Sequence, residues 1–322
     1  MRTAILILFV LSTLSVTATG QVYRLAELNT KQIEALPRDK TVIIMPGGVM
    51  EQHGPYLPSF SDGYMNEWWS ERLAEQVASQ PGWAAVLFPT IPLGDGGANE
   101  IGFRYVFPGT YGVRVKTLRS VYMDLGSELG EQGFKWILVV QSHGSPMHNL
   151  ALDQASEYFR DTYRGGVMVN LFGLVFADSA DPDLPAELRK ENGIDIHSGA
   201  SETSRIIFLK PNLVDVAYRR ATPISVTDPT KFSVLAAKDD WPGYFGSPRL
   251  ATPEFGKSLM EARLASAIKI VKSILNGADP AKLPRYADEA MKSEAQVADR
   301  AFAHDEALEK RQQAWLDKKG IK

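Results

Sequence analysis

Four short apolar runs divide the chain, at residues 42–45, 83–89, 134–140 and 166–174. Each has the length of a strand, and the run at 134–140 is apolar enough to be buried on both faces. The first breaks at Pro46-Gly47-Gly48, as a strand leaving a sheet does. Between and after these runs, apolar residues recur at helical spacing over 64–77, 115–129, 203–209 and 257–275. A shorter helical pattern at 25–36 stops before Pro37. Residues 178–195, acidic and proline-containing, read as a surface loop, and 223–226 reads as β-like. Strands alternating with helices indicate the α/β class. Beyond Asn276 the chain is charged and alanine-rich with helical spacing over 285–316, which predicts a helical extension at 277–322 without chemistry of its own.

The N-terminus has a different pattern. Arg2 precedes an apolar run at 4–16, and small residues follow at Thr17-Ala18-Thr19-Gly20. This is the layout of a secretory signal peptide over residues 1–20, with cleavage expected between Ala18 and Gln21. The run is short for a membrane span, so no stable anchor is expected and the mature protein is expected to be exported, periplasmic or secreted. The chain has no cysteine, which excludes disulfides, lipid attachment through a thioether and thiolate metal ligands. Any metal must then be held by His, Asp and Glu. The formal net charge of -3 and the lack of a basic block argue against a nucleic-acid partner.

Chemistry-bearing residues concentrate where the apolar runs end. After the first run comes Gly-Gly-x-x-Glu-x-His-Gly-x-x-Leu-Pro-x-x-x-Asp, which places Glu51, His53 and Asp62 together. Glu51 and His53 are two apart, so in extended chain they point the same way. Carboxylate and imidazole donors suit zinc or manganese. Phe107-Pro108-Gly109-Thr110 follows the second run, and Gln141-Ser142-His143-Gly144-Ser145 follows the third. Further on stands His197-Ser198-Gly199-Ala200-Ser201-Glu202-Thr203-Ser204, at the start of a helical pattern. Three of the five histidines thus fall in motifs, leaving His148 and His304. Trp68, Trp69, Phe103, Tyr105 and Phe107 lie beside these segments, either as walls of a pocket for a flat substrate or as core.

Together these motifs resemble the creatininase (creatinine amidohydrolase) family, over about residues 42–275. The closing segment, with Gly243, Gly246, Pro248, Ala251-Thr252 and Gly256, also matches the family pattern. The resemblance implies a three-layer α/β/α single domain over 21–276 with a mostly parallel central sheet. It implies two divalent ions per chain, zinc or manganese, with iron also suited. Asp62 would bridge them, with Glu51 and His143 on one ion and His53 and Glu202 on the other. It gives His197 the role of the catalytic proton carrier and implies a homo-oligomer, by family a hexamer; Trp68, Trp69 and Phe107 are expected substrate contacts by their place beside the motifs. The expected reaction is hydrolysis of a C–N amide bond in a small, possibly cyclic substrate. Departures are clear: the family's loop histidine before Phe107 is absent, and Ser145 replaces a glutamate that is a metal ligand in creatininase itself. A second class of function is therefore a binding protein that keeps the fold without catalysis. A Ser–His hydrolase lacks the Gly-x-Ser-x-Gly elbow.

Overall fold

The computed structural model describes residues 20–172, 181–293 and 295–321. Of residues 1–20, where a signal peptide is expected, 1–19 lie outside the described residues. Five parallel strands form one sheet: β1 (Val22–Arg24), β2 (Thr41–Pro46), β3 (Ala84–Leu87), β4 (Trp136–Val140) and β5 (Val167–Asn170), in the order β1-β3-β2-β4-β5.

Alternation along each strand divides the interior in two. Val42, Ile44, Leu138 and Val140 face one core, with α2 (Ser61–Ala78), α7 (Ala200–Leu209) and α9 (Pro253–Leu275). Ile43, Met45, Ile137 and Val139 face the other, with α4 (Val115–Glu131) and α5 (Pro146–Thr162). Both faces are covered, so the strands read as unbroken apolar runs. This is the three-layer α/β/α arrangement with a parallel sheet. The C-terminal helices α10 (Tyr286–Ser293) and α11 (Ala295–Lys319) add to the face of α4 and α5, where Ala298 and Ala301 enter the core.

Several elements depart from the sequence reading. The pattern at 25–36 is not one helix but a 3₁₀ turn at Leu25–Glu27 and a short α1 (Thr30–Glu34). Asn29 intervenes because its side chain and that of Gln32 form a reciprocal cap, which starts a new helix there. The loop expected at 178–195 contains α6 (Ala186–Asn192). Residues 223–226 form only isolated bridges, Ile224 to Gly246 and Gly193 to Val226. Helix α5 was not legible as such; Ser145 caps it and Pro146 opens it.

β2 pairs with β3 on one side and β4 on the other, and the connections leave in opposite directions. Helix α2 carries the chain to β3 across one face, and α4 carries it back to β4 across the other. The crevice beyond the carboxyl ends of β2 and β4 is therefore the switch point, where open α/β sheets place ligands.

Candidate metal centre

The switch point gathers all six polar site residues expected from the sequence. Glu51 and His53 lie on the loop after β2, Asp62 in the first turn of α2, and His143 just past β4. His197 precedes α7, and Glu202 sits in its first turn. Asp62 and Glu202 occupy helix N-termini, where the backbone dipole favours a carboxylate. Helix α2 also begins under tight packing, because a Cβ on Gly63 would lie 2.1 Å from the Phe60 ring.

Ring hydrogen bonds orient the histidines. His53 Nδ1 donates to the Glu51 carbonyl at 3.0 Å, which turns Nε2 towards Asp62 Oδ2 at 3.8 Å and Glu202 Oε2 at 3.7 Å. His143 Nε2 donates to the Asp95 carbonyl at 3.1 Å, which turns Nδ1 towards Glu51 Oε2 at 3.1 Å and Asp62 Oδ2 at 3.7 Å. Backbone groups holding the outer nitrogen of an imidazole are the usual support of a metal-ligating histidine. The carboxylates are held likewise. Glu51 Oε1 accepts from Ala98 N at 2.5 Å, Asp62 Oδ1 from Ser142 Oγ at 2.8 Å, and Glu202 Oε2 from Ser198 N at 2.6 Å. Ser198 has a φ of 53°, a strained left-handed backbone beside His197.

Three overlapping donor triads result: Glu51, Asp62 and His143; His53, Asp62 and Glu202; and Glu51, His53 and His197. Within each, the donor atoms lie within 4.8 Å of one another. The first two share Asp62. His53 Nε2 and Asp62 Oδ2 are buried without a hydrogen-bond partner. A buried acceptor left unpaired costs about 1–3 kcal/mol. Acceptors that converge unpaired fit a cation, and the nitrogen and oxygen donor set fits a divalent transition metal.

The electrostatics agree with that fit. Burial opposes protonation of His143, but Glu51 and Asp62 beside it outweigh burial and push it up to about 10. Burial alone would raise Glu51, yet His143, His197 and His53 hold it below the usual carboxylate range. Asp62 is raised, first by burial and then by Glu51. His197 differs: burial, with His53 and His143 nearby, lowers it to about 4 despite Glu51. Its Nε2 lies 2.7 Å from the Gln52 carbonyl and 3.3 Å from Gln52 Nε2, and its Nδ1 lies 3.8 Å from Glu202.

Gln52, Ser142, and the backbone of Asp95, Ala98 and Ser198 were not singled out from the sequence, although they hold the donors. Gln52, Ser142 and Ser198 stood in motif stretches; Asp95, Ala98 and Ser198 act through backbone atoms, which leave no side-chain signal. His148 lies fully buried against His143, ring centroids 5.1 Å apart, and burial lowers it well below its ordinary value. Its Nδ1 accepts from Asp95 N at 3.3 Å. Ser145 Oγ accepts from His148 N at 3.3 Å as the cap of α5.

The aromatic residues divide. Trp69 is core, with its indole N–H donated to the Met260 carbonyl at 3.0 Å. Trp68 packs edge-on to Phe208 with the Arg72 guanidinium over its ring. Phe107 meets Trp241 edge-on, and Arg104 lies over it. Phe103 and Tyr105 are each covered on one face by the C-terminal helix, under Arg300 and His304 respectively.

A doubly wound parallel sheet with a buried nitrogen and oxygen donor set at its switch point defines the class: an α/β protein built around a candidate metal centre. The family model for creatinine amidohydrolase matches residues 26–271, and the chain belongs to the creatininase family. It is 28% identical over 243 residues to creatinine amidohydrolase of Pseudomonas putida, covering 73% of this chain and 90% of that protein. It is 25% identical over 224 residues to the mycofactocin precursor peptide peptidase of Mycolicibacterium smegmatis, covering 68% and 79%. Among solved structures, a tryptophan-to-phenylalanine mutant creatininase aligns with a TM-score of 0.62 at 24% identity, covering 78% of this chain and 98% of that one. A manganese creatininase aligns at 0.60 and 22% identity, covering 79% and 99%. A mutant creatininase of Zn-Zn type aligns at 0.57 and 22% identity, covering 78% and 98%. These structural likenesses establish the fold.

Proposed function

We propose that the protein is an exported, metal-dependent amidohydrolase that cleaves a C–N amide bond in a small, possibly cyclic substrate. The observation that carries this reading is the pair of unpartnered, buried acceptors, His53 Nε2 and Asp62 Oδ2, at the junction of two donor triads. Glu51, Asp62 and His143 would hold one ion, and His53, Asp62 and Glu202 the other, with Asp62 common to both. Manganese and zinc forms among the solved relatives support those two metals. Bound divalent ions supply an acidified water and a polarised amide carbonyl. The chain's own residues do the rest. Glu51, His53, Asp62 and His143 are buried away from bulk water, and Glu51 and Glu202 keep their second contacts to Ala98 N and Ser198 N. His197, neutral near pH 7 by its burial, is free to take a proton at Nδ1 and deliver it to the leaving nitrogen. Its Nε2 stays anchored on the Gln52 carbonyl.

The substrate class rests on the two relatives, whose names give creatinine and a precursor peptide as what they act on. Export rests on Arg2 and the apolar run at 4–16, and a homo-oligomer, hexameric by family resemblance, is part of the same reading. The test is metal reconstitution followed by a turnover screen on creatinine, other lactams, formamides and short peptides. Two ions per chain with turnover of a small amide is the expected result. Two ions and no turnover of any amide would favour a metal-holding binding protein, and no bound transition metal would end both.

A further inference from the structure

The family match ends at residue 271, but the chain continues through α10 and α11. These two helices touch the loop that carries His143 and the segment after β3 whose backbone supports the donors. Tyr286 Oη donates to the Gly144 carbonyl at 3.0 Å, one residue past His143. On the other loop, the His304 ring lies flat on Tyr105, with centroids 4.2 Å apart and planes 4° apart. The Arg300 guanidinium sits 3.9 Å over the Phe103 ring. Asp305 Oδ2 accepts from Val115 N at 2.9 Å, which caps α4 from outside the family domain. Glu309 adds ion pairs to Arg114 at 3.3 Å and Lys116 at 2.7 Å.

The inner side of the same segment holds the donor set. Asp95 O receives His143 Nε2, Ala98 N binds Glu51, Thr110 Oγ1 accepts from Gln52 N at 3.0 Å, and Tyr111 N donates to Met50 O at 2.7 Å. Residues 95–115 are thus clamped between the donors and the extension. Phe103 has a φ of 59°, a left-handed backbone that costs an aromatic residue on the order of 1 kcal/mol or more. A strained conformation persists where neighbours over-determine it, and here Arg300 packs on that residue's own ring.

We propose that Arg300 and His304 are positioning residues of the site. Tied down by Asp305 and Tyr286, they press residues 95–115 against the metal donors and thereby limit the size of the substrate the site admits. The selectivity half rests on the amidohydrolase reading; the positioning half does not. The test uses the full-length, metal-loaded protein and the double variant Arg300→Ala/His304→Ala, with single variants His304→Ala and His304→Phe. Amide hydrogen exchange of peptides covering 99–113 should accelerate about tenfold in the double variant, with β2 and α2 unchanged. Dipicolinate should strip the bound metal about tenfold faster, since the chelator enters when this segment opens. His304→Phe, which keeps a flat ring on Tyr105, should restore what His304→Ala loses. Exchange and stripping at wild-type rates, or no rescue by phenylalanine, would overturn the positioning role. Among amides the protein hydrolyses, the ratio of kcat/KM for a longer to a shorter substrate should rise in the double variant. An unchanged ratio would overturn the selectivity role. Because exchange and stripping need no turnover, a protein that hydrolyses nothing would end the hydrolase reading and leave the positioning test standing.

Discussion

Asp62 Oδ2 faces His53 Nε2 at 3.8 Å and His143 Nδ1 at 3.7 Å, and no hydrogen-bond donor satisfies it. One atom therefore serves both donor triads, and its removal has an all-or-none consequence. Asp62→Ala is expected to lose both ions, by elemental analysis, while circular dichroism stays that of a folded protein. His148→Ala is expected to keep both, because that ring touches His143 edge-on and bonds only Asp95 N. Loss of metal in His148→Ala would contradict its exclusion from the ligand set. Away from the centre, Asp153 provides a pH-dependent test. Burial, with Asp288 and Glu157 nearby, raises its pKa from 3.8 to about 6, against the pull of Asn170 and Arg285. A carboxyl raised on folding contributes stability when protonated, below about pH 4, and that contribution is lost as pH rises through about 6. Asp153→Asn stays neutral throughout. It should therefore gain on the wild type between pH 4 and pH 7 by at most about 3 kcal/mol, read from urea melts at the two pH values. An unchanged difference would show that Asp153 is not raised.

Helix α5 shows how an element can change a site's chemistry. Its cap is Ser145, with Pro146 in the first turn, and its first turn carries His148 under His143. The position at which the family resemblance implies a ligand glutamate is here used to start a helix. Room is also short: a Cβ on Gly96 would lie 2.2 Å from Ser145 Oγ. Ser145→Ala should cost about 1 kcal/mol of stability, as loss of a helix cap does, with metal content unchanged. A change in metal content would place Ser145 on an ion. Elements were legible where one physical signal dominated. β2 and β4 are apolar on both faces and read as strands; α4 and α9 have long helical stripes. β1 was not seen, because its three residues pair only at the sheet edge through β3. The pattern at 25–36 misled because apolar spacing says nothing about a cap at Asn29 in its middle. The donor residues were legible as motifs, since each needs a particular side chain. Their supports at Asp95, Ala98 and Ser198 were not, since a backbone N–H or C=O serves from any residue. Tyr286 and His304 were invisible for another reason: their partners lie more than a hundred residues away in the chain.

At the scale of the whole molecule, two expectations concern what is removed and what is added. N-terminal sequencing of protein from its native cells should begin between Thr19 and Tyr23, given Arg2 and the apolar run at 4–16. An intact Met1 would refute export. Among the described residues no helix is long and apolar enough to cross a membrane. What is added is metal, and the fold is arranged so that metal should stabilise all of it. Glu51 and Asp62 are far from Glu202 in the chain, and α2 and α7 both present a carboxylate to the same point. Without a cation, that convergence is compensated by a few hydrogen bonds and by protons, as the carboxylates' upward pull on His143 and His53 indicates. A ligand that binds the native state alone stabilises it by about 4 kcal/mol at a thousandfold excess over Kd. For a chain of this size that corresponds to a rise in Tm of about 6–8 °C. Chelation should lower Tm by that order, and manganese or zinc should restore it. Binding should also release protons, so the same metal concentration should stabilise less at pH 5 than at pH 8. Asp62→Ala should melt at one temperature whether or not metal is added. Equal melting of the wild type with and without metal would show that these carboxylates converge for some purpose other than holding an ion.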